Sequence, residues 1–203
     1  MDVPNSAILL LTGYVADTVD RVTQPCSRPG HSQRIALIAW IWDAVHLYTS
    51  VGDSNAPPDF HDCAMTLTAG GWLAERERAT KSEDLIALIT LLNQLCTADR
   101  PSVEEDSRYA PILEAIERYD LRSAHNRIFF VTRMGMPGIG PKVMRAGDIV
   151  AVLRGSGVPF VLRPLEGEQY QLAGAAYVWG VMYGEVVEEC RAIGEEEVVF
   201  ALI

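Results

Sequence analysis

The feature that most limits the fold of this chain is a run of short apolar segments between residues 127 and 180. The segments are rich in β-branched and aromatic residues, and turn signals such as "RGSGVP" and "PLEGEQ" interrupt the run. They lie at 127–133, 148–154, 159–164, 169–173 and 175–180. Short strands with turn signals at this spacing are typical of small antiparallel sheets and barrels. We therefore expect a small antiparallel β-barrel of the SH3-like kind here.

Both ends of the chain also read as strand. Residues 7–23 contain "AILLLTGYVADTV", in which Gly13 is expected to mark a bend or bulge, and the chain ends in the apolar "VVFALI". We expect both terminal strands to complete the barrel, because no other predicted sheet is available to them. "GMPGIGPK" at 135–142 is expected to be a loop whose glycines supply unusual backbone angles. It lacks the spacing of a phosphate-binding loop.

Between these strands the sequence predicts a layer of helices. The segment 33–48 is apolar almost all round, which is typical of a helix buried on most sides. The segment 82–96 carries one apolar stripe at helical spacing. Two further helices are expected at Phe60–Thr68 and 108–120. The predicted fold class is α+β.

We expect a single domain over residues 1–203. Its N-terminal strands occupy 1–30, the helical layer occupies 31–126, and the barrel occupies 127–203. A chain of this length builds a core of its own without disulfide or metal staples.

Charge and motif spacing exclude several classes of function. The formal net charge is −10, which repels nucleic-acid phosphates and anionic lipids, so neither is an expected partner. The start of the chain carries an acidic residue and only a short apolar run, so we expect a cytoplasmic protein without a secretory signal. The cysteines form no C-x-x-C pair and the histidines no H-x-x-x-H motif, so neither a metal nor a cofactor is predicted.

The segment "RIFFVTRMGMPGIGPKVMRAGDIVAVLRGSGVPFVLRPLEGEQYQLAGAAYVWGVMYGE" at 127–185 resembles the C-terminal signature of fungal heterokaryon-incompatibility (HET) proteins. Positions that carry the resemblance include Arg127, Thr132, Gly135, Gly138, Gly140, Pro141, Gly147, Asp148, Arg163, Tyr170, Gly174, Tyr177, Gly180 and Glu185. The resemblance implies the C-terminal half of that family without its TIR-like effector module, so we expect no hydrolysis of NAD. Ala175 and Trp179 depart from the acidic residue and histidine that the family commonly has there.

Four polar residues within the resemblance are candidate catalytic groups: Asp148, Arg163, Tyr177 and Glu185. In the functional interpretation they lie at one mouth of the barrel as proton donors, acceptors or a charge clamp. In the structural interpretation Asp148 caps a turn after Gly147 and Arg163 pairs with a carboxylate. The sequence leaves both interpretations open.

Aromatic residues are candidate substrate-binding groups, namely Trp179, Tyr170, Trp40 and Trp42. A barrel of few strands fills its own interior with side chains. We therefore expect any cavity between the barrel and the helical layer, with the apolar helix at 33–48 as its opposite wall.

Two classes of function remain open. The first is a free-standing protein acting on a small apolar molecule, such as a cofactor-free cyclase or isomerase of fungal specialised metabolism. The loss of polar groups at Ala175 and Trp179 favours this class. The second is a non-catalytic interaction or regulatory module related to heterokaryon incompatibility, and a homo-oligomer is compatible with either. A cavity large enough for a ligand favours the first class, and a flat exposed apolar patch favours the second.

Overall fold

The computed structural model of the chain describes residues 8–26, 34–51, 60–69, 80–100 and 124–203. Within these residues the fold contains eight strands and four helices, so the predicted α+β class is confirmed. The strands are β1 (Leu9–Val22), β2 (Arg127–Thr132), β3 (Pro137–Pro141), β4 (Ile149–Leu153), β5 (Phe160–Pro164), β6 (Gln169–Ala175), β7 (Tyr177–Val178) and β8 (Val198–Leu202). The helices are α1 (Arg34–Thr49), α2 (Phe60–Leu67), α3 (Thr80–Thr97) and α4 (Glu185–Ile193). The helix expected at 108–120 lies outside the described residues.

Five strands form a closed ring. The first half of β1 pairs antiparallel with β8, and its middle pairs antiparallel with β4. Strands β4, β5 and β6 follow as antiparallel neighbours, and a parallel pairing of β6 with β8 closes the ring. Both terminal strands therefore complete the ring, as expected. The ring is uneven, because β6 and β8 share only the pairs Gln169–Ala201 and Tyr170–Leu202. The SH3-like topology stays a prediction.

A second arm of the sheet extends from the last part of β1. There β1 pairs with β2, β2 pairs with β3, and β3 pairs with the short strand β7. Register shifts between Val15 and Asp17 and between Val19 and Arg21 allow β1 to leave the ring and join this arm. Such shifts bend a strand and increase its twist. The long first strand is thus shared by the ring and the arm.

Gly13 lies at a close approach of strands rather than at a bend or bulge, so that expectation is wrong. It pairs with Leu153 of β4 and also with Val198 of β8. A Cβ atom at this position would overlap with the Val152 carbonyl oxygen. Glycine is therefore needed at this position because the backbone of β4 leaves no room for a side chain.

The segment predicted as a loop at 135–142 contains strand β3, which is a correction. A Cβ on Gly138 would overlap with the Phe130 ring, and one on Gly140 would overlap with the Met144 sulfur. These two glycines therefore make room for bulky side chains, whereas Gly135 (φ +85°) does supply a left-handed turn. Two strands also occupy the segment expected to hold strands at 169–173 and 175–180, but their bounds differ from the prediction. Strand β6 runs unbroken to Ala175, and only two residues of β7 follow.

Helix α4 was not predicted and interrupts the segment assigned to the barrel. Gly184 precedes it and Gly194 follows it, both in the left-handed region, where glycine is favoured. Glu185 lies in its first turn, where the helix dipole favours negative charge. Val186 and Cys190, one turn apart, are its buried side chains. The two flanking glycines, the acidic first turn and the apolar pair one turn apart are helix signals that can be read from the sequence.

The helical layer packs on the sheet arm rather than on the closed ring. One core cluster joins α1, α2 and α3 with β2 and β3, and Ile38, Ile41 and Phe129 are fully buried in it. A second cluster joins the arm with α4, and a third lies among the strands of the ring, around Leu162 and Phe200. Within the described part of the chain, no helix has the length and apolarity required to cross a membrane.

Candidate functional site

Asp148 and Arg163, two of the predicted catalytic residues, form an ion pair in which the carboxylate is buried and the guanidinium is partly exposed. Asp148 is only 1% exposed. Arg163 donates from Nε to Oδ1 at 2.9 Å and from Nη2 to Oδ2 at 3.0 Å. The Arg145 N–H donates to Oδ2 at 2.9 Å, and Arg163 Nη2 also donates to the Val143 carbonyl at 2.6 Å.

These contacts agree with the structural interpretation of the pair. Asp148 caps the turn that includes Gly147, whose φ is +89°, and Arg163 neutralises the buried carboxylate. The hydrogen bond to Asp148 raises the pKa of Arg163, so the guanidinium stays charged. Both oxygens of Asp148 are already occupied, which leaves little capacity for proton transfer to a ligand.

Tyr177 differs from that pair because its polar atom has no partner. It is 8% exposed, and β7 places it opposite Ile139 of β3. Its hydroxyl has no hydrogen-bond partner in the described structure. Burial, together with the nearby Tyr183 and Glu185, raises the pKa of Tyr177 well above that of an ordinary tyrosine. The hydroxyl therefore stays protonated at neutral pH and is available as a donor.

Tyr177 lines a half-open cleft of about 400 Å³. The cleft lies where the end of α2, the start of β2, strand β3 and the β6–β7 connection meet. Its lining residues are Ala69, His125, Arg127, Ile139, Val158, Ala175, Ala176, Tyr177 and Met182. Most of these side chains are apolar and three are polar, a composition typical of small-molecule sites.

Two of the three polar lining residues, His125 and Arg127, were not among the predicted site residues. The Nδ1 atom of His125 is buried and has no hydrogen-bond partner in the described structure. Arg127 Nη1 donates to the Ala175 carbonyl at 2.8 Å. A guanidinium carries five N–H donors, and the described residues supply this one side-chain contact. Arg127 is one of the positions that carry the family resemblance, but no local motif links it or His125 to Tyr177, because the strand order β2–β3–β7 brings them together.

Glu185 and Trp179 lie beside the cleft but do not line it. A carboxylate oxygen of Glu185 accepts the Tyr183 N–H at 2.7 Å at the start of α4. The Trp179 ring meets the His61 ring edge-on, with centroids 5.5 Å apart. Of the two positions that depart from the family pattern, Ala175 is in the cleft wall, whereas Trp179 packs against His61 of α2 and does not form part of that wall.

The other three predicted aromatic residues have structural contacts away from the cleft. Trp40 is buried and its Nε1 donates to the Gln24 carbonyl at 2.9 Å. Trp42 Nε1 donates to the Ala98 carbonyl at 2.9 Å. The Tyr170 ring packs edge-on against Phe200.

The expected position of helix α1 as the opposite wall is wrong for this cleft, because no α1 residue lines it. From the helical layer the cleft is lined by Ala69, the residue that follows the end of α2. Helix α1 instead packs on α3 and β2. The cleft therefore opens at the far end of the layer, where α2 approaches β3.

The cysteines and acidic residues offer no metal centre in the described structure, where no group of three or more potential ligands converges. Burial raises the pKa of the Cys26 thiol to about 11. Burial and the neighbouring Asp62 raise the pKa of Cys63 further. Thiols with such values are protonated at neutral pH and are poor nucleophiles.

Comparison with known proteins agrees with the sequence resemblance. The family model of the Het-6 beta-barrel domain matches residues 100–196. Heterokaryon incompatibility protein 6, OR allele, of Neurospora crassa is 37% identical over 71 residues, which are 34% of this chain and 10% of that protein. The match thus spans about a tenth of the relative's length. No solved structure matches the chain significantly. The segment 100–196 matches a Het-6 beta-barrel domain, and the chain is related to heterokaryon incompatibility proteins.

Proposed function

We propose that this chain binds a small molecule in the cleft lined by Tyr177, and that binding serves a process related to heterokaryon incompatibility. One observation carries the proposal. Of the three buried side-chain atoms that lack a hydrogen-bond partner in the described structure, Tyr177 Oη and His125 Nδ1 belong to lining residues of this cleft. A buried polar atom without a partner costs roughly 1–3 kcal/mol. A ligand that supplies both partners would recover this free energy.

The catalytic form of the proposal is a cofactor-free cyclase or isomerase of fungal specialised metabolism that acts in the cytoplasm on a small apolar substrate. It rests on Tyr177 as a hydrogen-bond donor to charge that develops on the substrate, since the raised pKa keeps its hydroxyl protonated. Asp148 and Arg163 no longer support it, because they satisfy each other. Binding is therefore the primary proposal, and the reaction stays a prediction.

The test is a screen of fragment-sized compounds, neutral and charged, against the methyl-labelled full chain by NMR. We expect some compounds to shift the methyl resonances of Ile139 and Met182, which line the cleft. The substitution Val158→Trp places a large ring at the rim and should abolish these shifts. Ile193→Trp, on an exposed helix position outside the cleft, should leave them unchanged. If no compound moves these resonances, the proposal is wrong.

The second candidate is a non-catalytic interaction module. The observation that favours it is a pair of exposed apolar side chains, Leu10 of β1 and Val199 of β8, which the strand register places on one face of the sheet. The occupant we propose for this surface is a second copy of the chain. Sedimentation should then show a dimer that Leu10→Glu dissociates. A wild-type chain that stays monomeric at all concentrations would exclude this candidate.

A further inference from the structure

We infer that the ligand of the cleft is a small organic carboxylate with an apolar body, held through its carboxylate by Arg127 and Tyr177. This inference rests on the proposed function, since it names the class of ligand for the same site. It is carried by the charge, the donors and the walls of the cleft.

The first step is the charge of the lining residues. Arg127 lines the cleft, and no aspartate or glutamate lines it. Arg163 is paired with Asp148, whereas no described carboxylate pairs with Arg127. Glu185 is near Tyr177, but its carboxylate accepts a backbone N–H outside the cleft. Among the residues that line the cleft the charge is therefore positive, although Glu185 lies close enough to raise the pKa of Tyr177 and the whole chain carries −10.

The second step is the geometry of the available donors. The Arg127 guanidinium is held in place by its hydrogen bond to the Ala175 carbonyl. Its remaining N–H groups form the planar fork that matches a carboxylate. Tyr177 adds a protonated hydroxyl, which donates rather than accepts toward an anion. His125 Nδ1 donates or accepts according to its tautomer, so it suits a second polar atom of the ligand.

The third step is the apolar wall. Ile139, Val158 and Met182 line the cleft together with three alanines, Ala69, Ala175 and Ala176. A volume of about 400 Å³ lies near the lower end of the range for small-molecule sites. The cleft therefore fits a compact acid with a hydrocarbon or aromatic body better than a sugar or a nucleotide.

The experiment compares two probes of similar shape, benzoate and benzamide, by calorimetric titration of the full chain. We expect benzoate to bind roughly tenfold more tightly than benzamide, because a charged bidentate pair is stronger than a neutral contact. Arg127→Gln should remove this preference, because benzoate then loses the charged fork and its affinity falls toward that of benzamide. Arg133→Gln is the matched control, since Arg133 is exposed outside the cleft, and it should keep the preference.

The outcomes separate the two proposals. Equal affinity of the wild-type chain for both probes overturns the carboxylate inference, while compounds that still shift the Ile139 and Met182 resonances leave the proposed function standing. A preference that persists in Arg127→Gln also overturns the inference. Absence of any binding in the fragment screen removes the proposed function itself. Should Arg127→Gln unfold, Arg127→Lys tests the same point, because it keeps the charge, loses the fork and should retain part of the preference.

Discussion

The barrel region holds two groups of buried polar side chains, and they differ in whether their hydrogen-bonding atoms have partners. Asp148 and Arg163 satisfy each other with two short hydrogen bonds, and the Arg145 N–H adds a third. Around the cleft, the Tyr177 hydroxyl and His125 Nδ1 have no partner in the described structure. A closed network stabilises a fold, whereas an open one is a place for a ligand. Residue type alone does not separate the two groups.

The largest expected effect on stability comes from breaking the ion pair between Asp148 and Arg163. Asp148→Ala leaves the mostly buried guanidinium of Arg163 without its carboxylate and removes the cap of a turn, so the free energy of unfolding should fall by about 3 kcal/mol. Urea unfolding followed by circular dichroism measures it. Glu197→Ala is the control, because it breaks the solvent-exposed pair with Arg154, and exposed pairs contribute little. Equal losses in the two variants would contradict the structural role of Asp148.

The next effect concerns the strand that forms one wall of the cleft. Gly138→Ala should lower the free energy of unfolding by about 1–3 kcal/mol, because the new methyl group overlaps with the Phe130 ring. Gly157→Ala is the matched control, since open space surrounds that position. Both are read from urea unfolding. A neutral Gly138→Ala variant would mean that β3 is not packed against β2 in this way.

How far the sequence predicts this molecule depends on whether the signal is local. The ring strands and the terminal strands were predicted, because β-branched residues and turn signals are read within a few positions. Strand β3 was missed, because its glycines act through contact with Phe130 and Met144, which lie elsewhere in the chain. Helix α4 was missed although its two flanking glycines and its first-turn carboxylates were visible.

The candidate site was predicted only in part. Tyr177 was identified, and it lines a cleft, but this cleft lies at the arm of the sheet rather than at a mouth of the barrel, and Asp148, Arg163 and Glu185 do not line it. Asp148 and Arg163 were identified as well, but the choice between their two interpretations needed the contact distances. His125 and Arg127 reach the site because β3 lies between β2 and β7 in the sheet. No pattern within the sequence encodes that order of strands.

A smaller change in the free energy of unfolding, of opposite sign, is expected at the cleft, where the Tyr177 hydroxyl has no partner in the described structure. Tyr177→Phe removes a buried hydroxyl without a partner, so the free energy of unfolding should rise, by up to about 1 kcal/mol. Tyr183→Phe, on an exposed side chain, should change it little. Thermal unfolding of the two variants beside the wild type gives the comparison. A clear loss of stability in Tyr177→Phe would show that the hydroxyl has a partner and that the cleft is a closed network.

The smallest expected effect is a difference in alkaline stability between the wild type and Tyr177→Phe. Since the pKa of Tyr177 is raised on folding from an ordinary value of 10.0, the folded state holds the phenolic proton more firmly than the unfolded chain. The resulting stabilisation is present below about pH 10 and is lost as the pH rises further. The buried thiols of Cys26 and Cys63 lose stability over an overlapping range, but they do so equally in both proteins. Urea unfolding from neutral pH to about pH 10.5 should therefore show a steeper decline for the wild type than for Tyr177→Phe. Parallel declines would mean that the Tyr177 hydroxyl ionises as readily as in water, and that its part of the cleft is already open to solvent.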